Sequence, residues 1–283
     1  TVYSAADDAL RNASGNPGRS GHKISLKAGD IVAEARLLCS RFFHSENPES
    51  MIFCSNATDA LNLAIQGSVS KGDHIITSSI EHNAVARPLE HLKDAGVEVT
   101  KVNASLETGV DPSDVASAIK ENTKLAVFTH MSNVTGTIND VAAIGAICRE
   151  KGVPFLVDAS QSAGAIKIDV QKMNIDMLAF PGHKCLYGPQ GTGGLYIKPG
   201  LDIRPIKQGG TGSRSEMLHQ PEERPDRKRD AERSRYSRTR RRDKIHNGYR
   251  HRQDPCPRQS PYRQAYRRSF VSGRSPYLQP AGS

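Results

Sequence analysis

His183 and Lys184 stand in the stretch AFPGHKCLYGPQGTGG, residues 179–194, after an apolar run and ahead of a cluster of glycines. Three chemistries suit such a stretch: a phosphate-cradling loop, a lysine that anchors a cofactor covalently, or a glycine-rich turn between strands. Which one applies depends on what the chain can place beside the lysine amine. Four other apolar runs also lead into polar residues. MIFCS is followed by Asn56-Ala57-Thr58 at a helix start, where free N–H groups and a hydroxyl suit a phosphate. HIITSS leads to Glu81-His82-Asn83, KLAVFTH leads to MSNVTGT with Asn133, and PFLVDAS carries Asp158, with Gln161 three residues on. Taken singly, a strand-end Asp is a turn or cap residue, a His is a packed or surface group, and a Lys is solvated. Several such ends in one parallel sheet point to a single site.

The group whose needs match this set is pyridoxal 5'-phosphate. It requires a lysine to bond to its aldehyde, a carboxylate opposite its pyridine nitrogen, and a phosphate pocket at a helix N-terminus. An imidazole over the ring and a hydrogen bond to the phenolic oxygen complete the requirements. Asp158 would keep the ring nitrogen protonated, and Lys184 would be both tether and proton shuttle.

The elements that must position these residues are legible as alternating runs. MIFCS, HIITSS, VEVTKV, KLAVFTH, PFLVDAS, MLAFPG and GGLYI read as strands, several of them continuously apolar, as in sheets covered on both faces. ATDALNLAIQGSVS, HNAVARPLEHLKDAG, DPSDVASAIKEN and VAAIGAICREKG read as helices between them; the second and fourth end in Gly, and Pro112 lies near the first turn of the third. Strand–helix alternation of this kind predicts an α/β fold with a mostly parallel sheet and a ligand site outside the carboxyl ends of its strands. The first 45 residues read as a loop, GNPGRSGHKIS, followed by a helix, AGDIVAEARLLCSRFF.

Composition bounds the function classes. The net charge of +9 is unevenly spread. Residues 228–283 hold 16 Lys/Arg and 4 Asp/Glu, a balance of +12, which leaves 23 and 26 in the first 227 residues, a balance of −3. Overall basicity is therefore no argument that the body binds nucleic acid. The five cysteines (39, 54, 148, 185 and 256) lack metal-ligand or CxxC spacing, which predicts a reducing compartment, no disulfide scaffold and no metal. No apolar run is long enough to cross a membrane, so a soluble cytoplasmic protein is expected.

SNATDALNLAI, SSIEHNAVARPL, THMSNVTGT, VDASQSAG, FPGHKCLYGPQGTGGLYI and GGTGSRSE, in this order, resemble successive motifs of the class V aminotransferase superfamily, and within it the cysteine desulfurase-like group. The resemblance runs from about residue 12 to 227. It implies a fold-type I architecture: a large domain with a seven-stranded sheet over residues 46–227, a smaller C-terminal domain, and a homodimer. It also implies a pyridoxal-phosphate enzyme that turns L-cysteine into L-alanine and hands sulfur to an acceptor, with a related aminotransferase or lyase as the alternative. By the resemblance, Lys184 holds the cofactor and His82 stacks on its ring, the two being the catalytic residues. Asp158 faces the pyridine nitrogen, Gln161 bonds the phenolic oxygen with Asn133 near the same edge, and Ala57, Thr58 and His183 bind the phosphate. Pro181 departs from the pattern: many relatives have a phosphate-binding serine there. Asn16 and Arg19 resemble a family loop near the substrate entrance, and Cys185 reads as a neighbour of the lysine rather than the sulfur acceptor.

After residue 227 the periodicity stops, and nothing there resembles the family's C-terminal domain, where the arginine for the substrate carboxylate and the acceptor cysteine are kept. This predicts a disrupted or missing small domain, and it sets beside the desulfurase reading the alternative of a truncated chain that binds the cofactor but turns over little. One reading of the arginine-rich tail is a nucleic-acid arm, with Tyr236, Tyr249, Tyr262 and Tyr266 available to stack on bases. The favoured reading is a shifted frame. GGN glycine codons read one base early yield arginine, and allowed codons for residues 229–253, read in the neighbouring frame, permit a glycine-rich continuation with the family's Gly-Thr pair. The gene's nucleotide sequence tests this: an open neighbouring frame of that kind is expected, and a closed one overturns the idea.

Overall fold

Each of the seven apolar runs forms a strand of one sheet in the structure, a computed structural model that describes residues 2–17 and 22–207. Arg19, the GGTGSRSE motif, Cys256, the expected boundary at residue 227 and the 228–283 tail lie outside the described residues. The sheet strands are β1 (Met51–Cys54), β2 (His74–Ser78), β3 (Glu98–Val102), β6 (Thr123–Thr129), β7 (Phe155–Asp158), β8 (Met177–Pro181) and β9 (Gly193–Ile197). The two-residue strands β4 (Ala104–Ser105) and β5 (Gly109–Val110) pair separately as a hairpin. The helices are α1 (Val2–Asn12), α2 (Lys23–Phe42), α3 (Ala57–Ser68), α4 (Asn83–Asp94), α5 (Pro112–Ala118) and α6 (Val141–Glu150).

The strand order is β1-β9-β8-β7-β6-β2-β3. Every pairing from β8 to β3 is parallel, and β9 runs antiparallel to both its neighbours. Successive residues of the central strands enter opposite cores, as the two-residue period of a strand requires. On β6, Leu125 and Val127 pack with Leu61, Ile65, Val85 and Leu89 of α3 and α4, whereas Ala126 and Phe128 pack with Ile144 and Cys148 of α6. On β8, Met177 and Ala179 join the first core, and Leu178 and Phe180 the second. Burial on both faces is why these strands read as continuous apolar runs rather than alternating ones.

The helix termini follow from local chemistry. Asn56, Asp111 and Asp140 cap α3, α5 and α6 through side-chain oxygens that accept from Asp59, Ser113 and Ala143 N–H. Pro112 takes the first helical position of α5, as its fixed φ and missing N–H favour. Helices α4 and α6 stop just before Gly96 and Gly152. The N-terminus corrects the sequence reading. Residues 2–12, for which the sequence reading gave no element, form α1, supported by Asp7–Arg11 pairing at helical spacing and burying no residue. Helix α2 covers the AGDIVAEARLLCSRF segment read as a helix but begins earlier, at Lys23 rather than after the HKIS segment; it buries only Ser25, Ala28 and Ser40, too weak an apolar stripe to mark that start.

One side chain ties the β4–β5 hairpin to the sheet. Asn139, buried, accepts from Val110 N–H at 2.9 Å and donates to the Thr129 carbonyl at the end of β6 at 2.7 Å. Asn139→Ala leaves both backbone groups without their partner and is expected to cost about 2–4 kcal/mol, read as a lower urea midpoint.

Candidate cofactor-binding site

Because β8, β7, β6 and β2 are parallel neighbours, their carboxyl ends lie side by side along one edge of the sheet, spaced by about 4.8 Å per strand. The residues that follow these ends are therefore collected whatever their distance in sequence. Ala57, Thr58, His82, Asn133, Asp158, Gln161, His183 and Lys184 all line one cleft there. Asn56, Ala84, Thr129, Met131, Ser160 and Pro181 complete its wall. Its space, open mouth included, is about 530 Å³. Asn16 is not part of that wall.

Asp158 is the last residue of β7 and only 2% exposed. Its Oδ1 accepts from Ser160 N–H at 2.9 Å. Burial pushes the carboxyl above its ordinary range, opposed by that hydrogen bond and by the charges of Lys184 and His82. Such a group gains most from a cation brought against it in the dry cleft. A protonated pyridine nitrogen is such a cation. Backbone bonds hold the strand end in place: His130 N–H donates to the Asp158 carbonyl, and Ala159 N–H to that of Ala179. His130 itself is buried, and desolvation pulls its ring down to about 4, so it remains neutral behind the site.

At the phosphate side, the first-turn N–H groups of α3 lack acceptors within the helix. Asn56 takes that of Asp59, and Ala57 and Thr58 form the cleft wall at the positive end of the helix dipole. Gly193 lets β9 come this close, since a Cβ there would sit 2.6 Å from the Asn56 carbonyl carbon. The lysine segment is a built turn. Gly182 N–H donates to Thr192 O, Gly188 N–H to Gly182 O, and Tyr187 N–H to Lys184 O. Tyr187 takes a left-handed φ of 58°, uncommon for a residue with a side chain. Behind the turn, Gly164 at φ +89° leaves room for the Cys185 carbonyl, which a Cβ would meet at 2.4 Å. The glycines after Lys184 thus serve the return from β8 to β9. Pro181 stands in the wall without hydroxyl or N–H, so the departure from the family pattern falls within the cleft itself.

His82 is the N-cap of α4, its Nδ1 accepting from Ala84 N–H at 3.1 Å. This cap fixes the imidazole at the cleft wall. Sequence reasoning singled out His82 from its strand-end position but missed the cap, and it assigned nothing to Ala84, Thr129, Met131 or Ser160. For Thr129 the signal was present, since it ends KLAVFT; small and apolar wall residues carry none. The donor set fits pyridoxal phosphate: an amine on a rigid turn, a buried carboxylate, an imidazole plane and a helix N-terminus. The four described cysteines are free, and among the described residues no cluster of His, Cys, Asp or Glu could hold a metal and no helix is long and apolar enough to cross a membrane.

A sequence profile described as aminotransferase class-V matches residues 1–231. Cysteine desulfurase IscS of Pseudomonas fluorescens is 40% identical over 202 residues, covering 69% of this chain and 50% of the relative. IscS of Azotobacter vinelandii matches with the same identity and coverage. The chain thus spans about half the length of the curated relatives it matches. Among solved structures, the apo cysteine desulfurase of Thermococcus onnurineus is 33% identical with a TM-score of 0.69, covering 74% of this chain and 53% of that one. SspA in complex with cysteine is 29% identical with a TM-score of 0.70, covering 83% and 74%.

The cap separates two duties of His82. His82→Ala is expected to destabilise the protein without cofactor by about 1 kcal/mol in urea unfolding, and His82→Asn, which keeps a capping oxygen, to recover most of that while lacking the imidazole plane.

Proposed function

The chain belongs to the class-V aminotransferase family, and on that premise we propose a pyridoxal-phosphate enzyme of the cysteine desulfurase kind, converting L-cysteine to L-alanine and passing the sulfur to a thiol. The observation that carries this reading is Asp158, buried at the end of β7 one strand from the turn that bears Lys184. A carboxylate in that place, facing a lysine-bearing cleft with a helix N-terminus opposite, is matched to a flat cationic ring with a phosphate arm. Bound there, the cofactor supplies an electron sink conjugated with the substrate α-carbon.

The chain's own residues carry the rest. Lys184 would hold the cofactor by its Nζ, and the same nitrogen would serve as the base for the substrate α-proton. Asp158 holds the proton on the ring nitrogen by charge. His82 would pack on the ring, and Gln161 and Asn133 would supply polar contacts to the phenolic oxygen side. Ala57 and Thr58 hold the phosphate through first-turn N–H groups and a hydroxyl, with His183 beside them. The homodimer, the cytoplasmic setting and a sulfur-accepting partner protein enter this reading through the family resemblance alone.

An absorbance spectrum of the protein mixed with pyridoxal phosphate tests the site, and alanine and sulfide assays with L-cysteine and an added dithiol, which reduces the persulfide to sulfide, test the reaction. The wild-type protein is expected to show the band of a lysine-bound cofactor and to release both products. Lys184→Ala is expected to lose the band and at least about a hundredfold in rate. A band without products from L-cysteine supports a related reaction or a binding role instead, and the absence of any band overturns the site.

A further inference from the structure

Directly before His82 lies a second acidic side chain whose setting the reaction above does not use. Glu81 is half-buried as a residue, but its carboxyl is enclosed. Oε1 accepts from Ser78 Oγ at 2.5 Å and from Thr129 N–H at 2.9 Å, joining the exit of β2 to the end of β6. Oε2 is buried and has no hydrogen-bond partner. Thr129 belongs to the cleft wall, and its own carbonyl is held by Asn139. Among the described residues, Asp158 at the end of β7 is the ionisable group that acts on Glu81 through space; β2 and β6 face it with the neutral donors of Ser78 and Thr129.

We propose that Glu81 is a positioning residue: it clamps the turn that carries His82 onto the end of β6 beside Thr129, and it leaves the negative charge at this end of the cleft to Asp158 alone. The positioning half of this rests on the role given to His82 above, whereas the clamp and its charge state stand on the protein by itself. A carboxylate at Glu81 would place a bare, charged Oε2 in a dry environment beside a second carboxylate. A neutral carboxyl keeps both bonds to Oε1, which need only an acceptor, and leaves a much smaller cost at Oε2. Burial, with Asp158 adding to it, pushes Glu81 up to about 8 against the bonds from Ser78 and Thr129. Asp158 is opposed in the other direction by Lys184 and His82. Cationic neighbours thus favour the charge on Asp158, whereas none acts on Glu81 to favour a charge there.

The consequence has a definite sign. Between the ordinary Glu value of 4.5 and about 8, the folded protein holds a proton at Glu81 that the unfolded chain has lost, so stability falls as pH rises through that window and levels off above it. Glu81→Gln keeps an acceptor for Ser78 and Thr129 but cannot titrate. Measured by urea unfolding without cofactor, the folding constant of Glu81→Gln relative to wild type is expected to rise about tenfold per pH unit from pH 5 to pH 8. A flat ratio would show an ionised carboxyl and overturn the charge assignment.

Action through His82 is read from pyridoxal-phosphate affinity. Glu81→Ala is expected to weaken it at least about tenfold in the wild-type background but less than about threefold in a His82→Ala background, and Glu81→Gln to restore it. An equal loss in both backgrounds overturns the positioning role. The pH arm uses protein without cofactor, so it decides the clamp even if the cofactor reading fails, and a wild-type chain that takes up no cofactor counts against that reading alone.

Discussion

A carboxylate that is 2% exposed is a costly thing to fold, and Asp158 is where this structure concentrates that cost. Its strand cannot retreat to solvent, because Leu156 and Val157, directly before it, are locked into the cores on the two faces of the sheet. The strand end is held by backbone bonds to its neighbours on both sides. One peptide N–H, the neighbouring lysine and the neighbouring histidine relieve the charge only in part. The cleft is thereby preorganised for a cation that the protein itself does not provide, and the interaction is strongest once that cation displaces water.

The two-sided core is what makes such preorganisation affordable. Residues of β6, β7 and β8 alternate between two clusters, one under α3 and α4 and one under α2, α5 and α6, so that each strand is fixed in register as well as in place. A slip of one residue would exchange Leu125 with Ala126 and Phe128 with Val127, and it would carry Asp158 out of the cleft. Positional accuracy at the strand ends is a by-product of packing some distance below them. The same holds for Lys184, whose turn is tied to Thr192 on the far side and backed by the space at Gly164.

Much of this was legible in the sequence, for a physical reason. Doubly covered strands must be largely apolar, so HIITS, KLAVFT, FLVD and MLAFP declare themselves, and whatever polar residue breaks each run marks the cleft edge. The ends of α4 and α6 were marked by Gly96 and Gly152 in the same direct way. Helix α1 was not legible because it buries nothing and has no periodic face to detect, and α2 is only slightly better marked. Nor could spacing reveal the bonds that make the site rigid. That Glu81 reaches Thr129, 48 positions away, and that Asn139 joins Val110 to Thr129, are products of strand order. The cap made by His82 is a local bond, but imidazole is a rare enough N-cap that its position at a strand end reads first as chemistry.

His82 and Glu81 show why those two kinds of evidence belong together. Adjacent residues in a turn point in different directions, so one side chain can enter the cleft only if the other turns into the protein. Here the inward one is an acid, and the place it enters already contains Asp158. If both carboxyls were ionised, their repulsion would be set against the two bonds that hold the turn, and relaxing it would move the imidazole. With the proton on Glu81, the bonds from Ser78 and Thr129 persist and the charge stays with Asp158, where Lys184 and His82 stabilise it. The placement of one proton then links the rigidity of the β2–α4 turn to the electrostatics of the cleft. An apolar residue in place of Glu81 would avoid the second carboxyl, but it would leave the Thr129 N–H without its acceptor and the turn without its tie to β6.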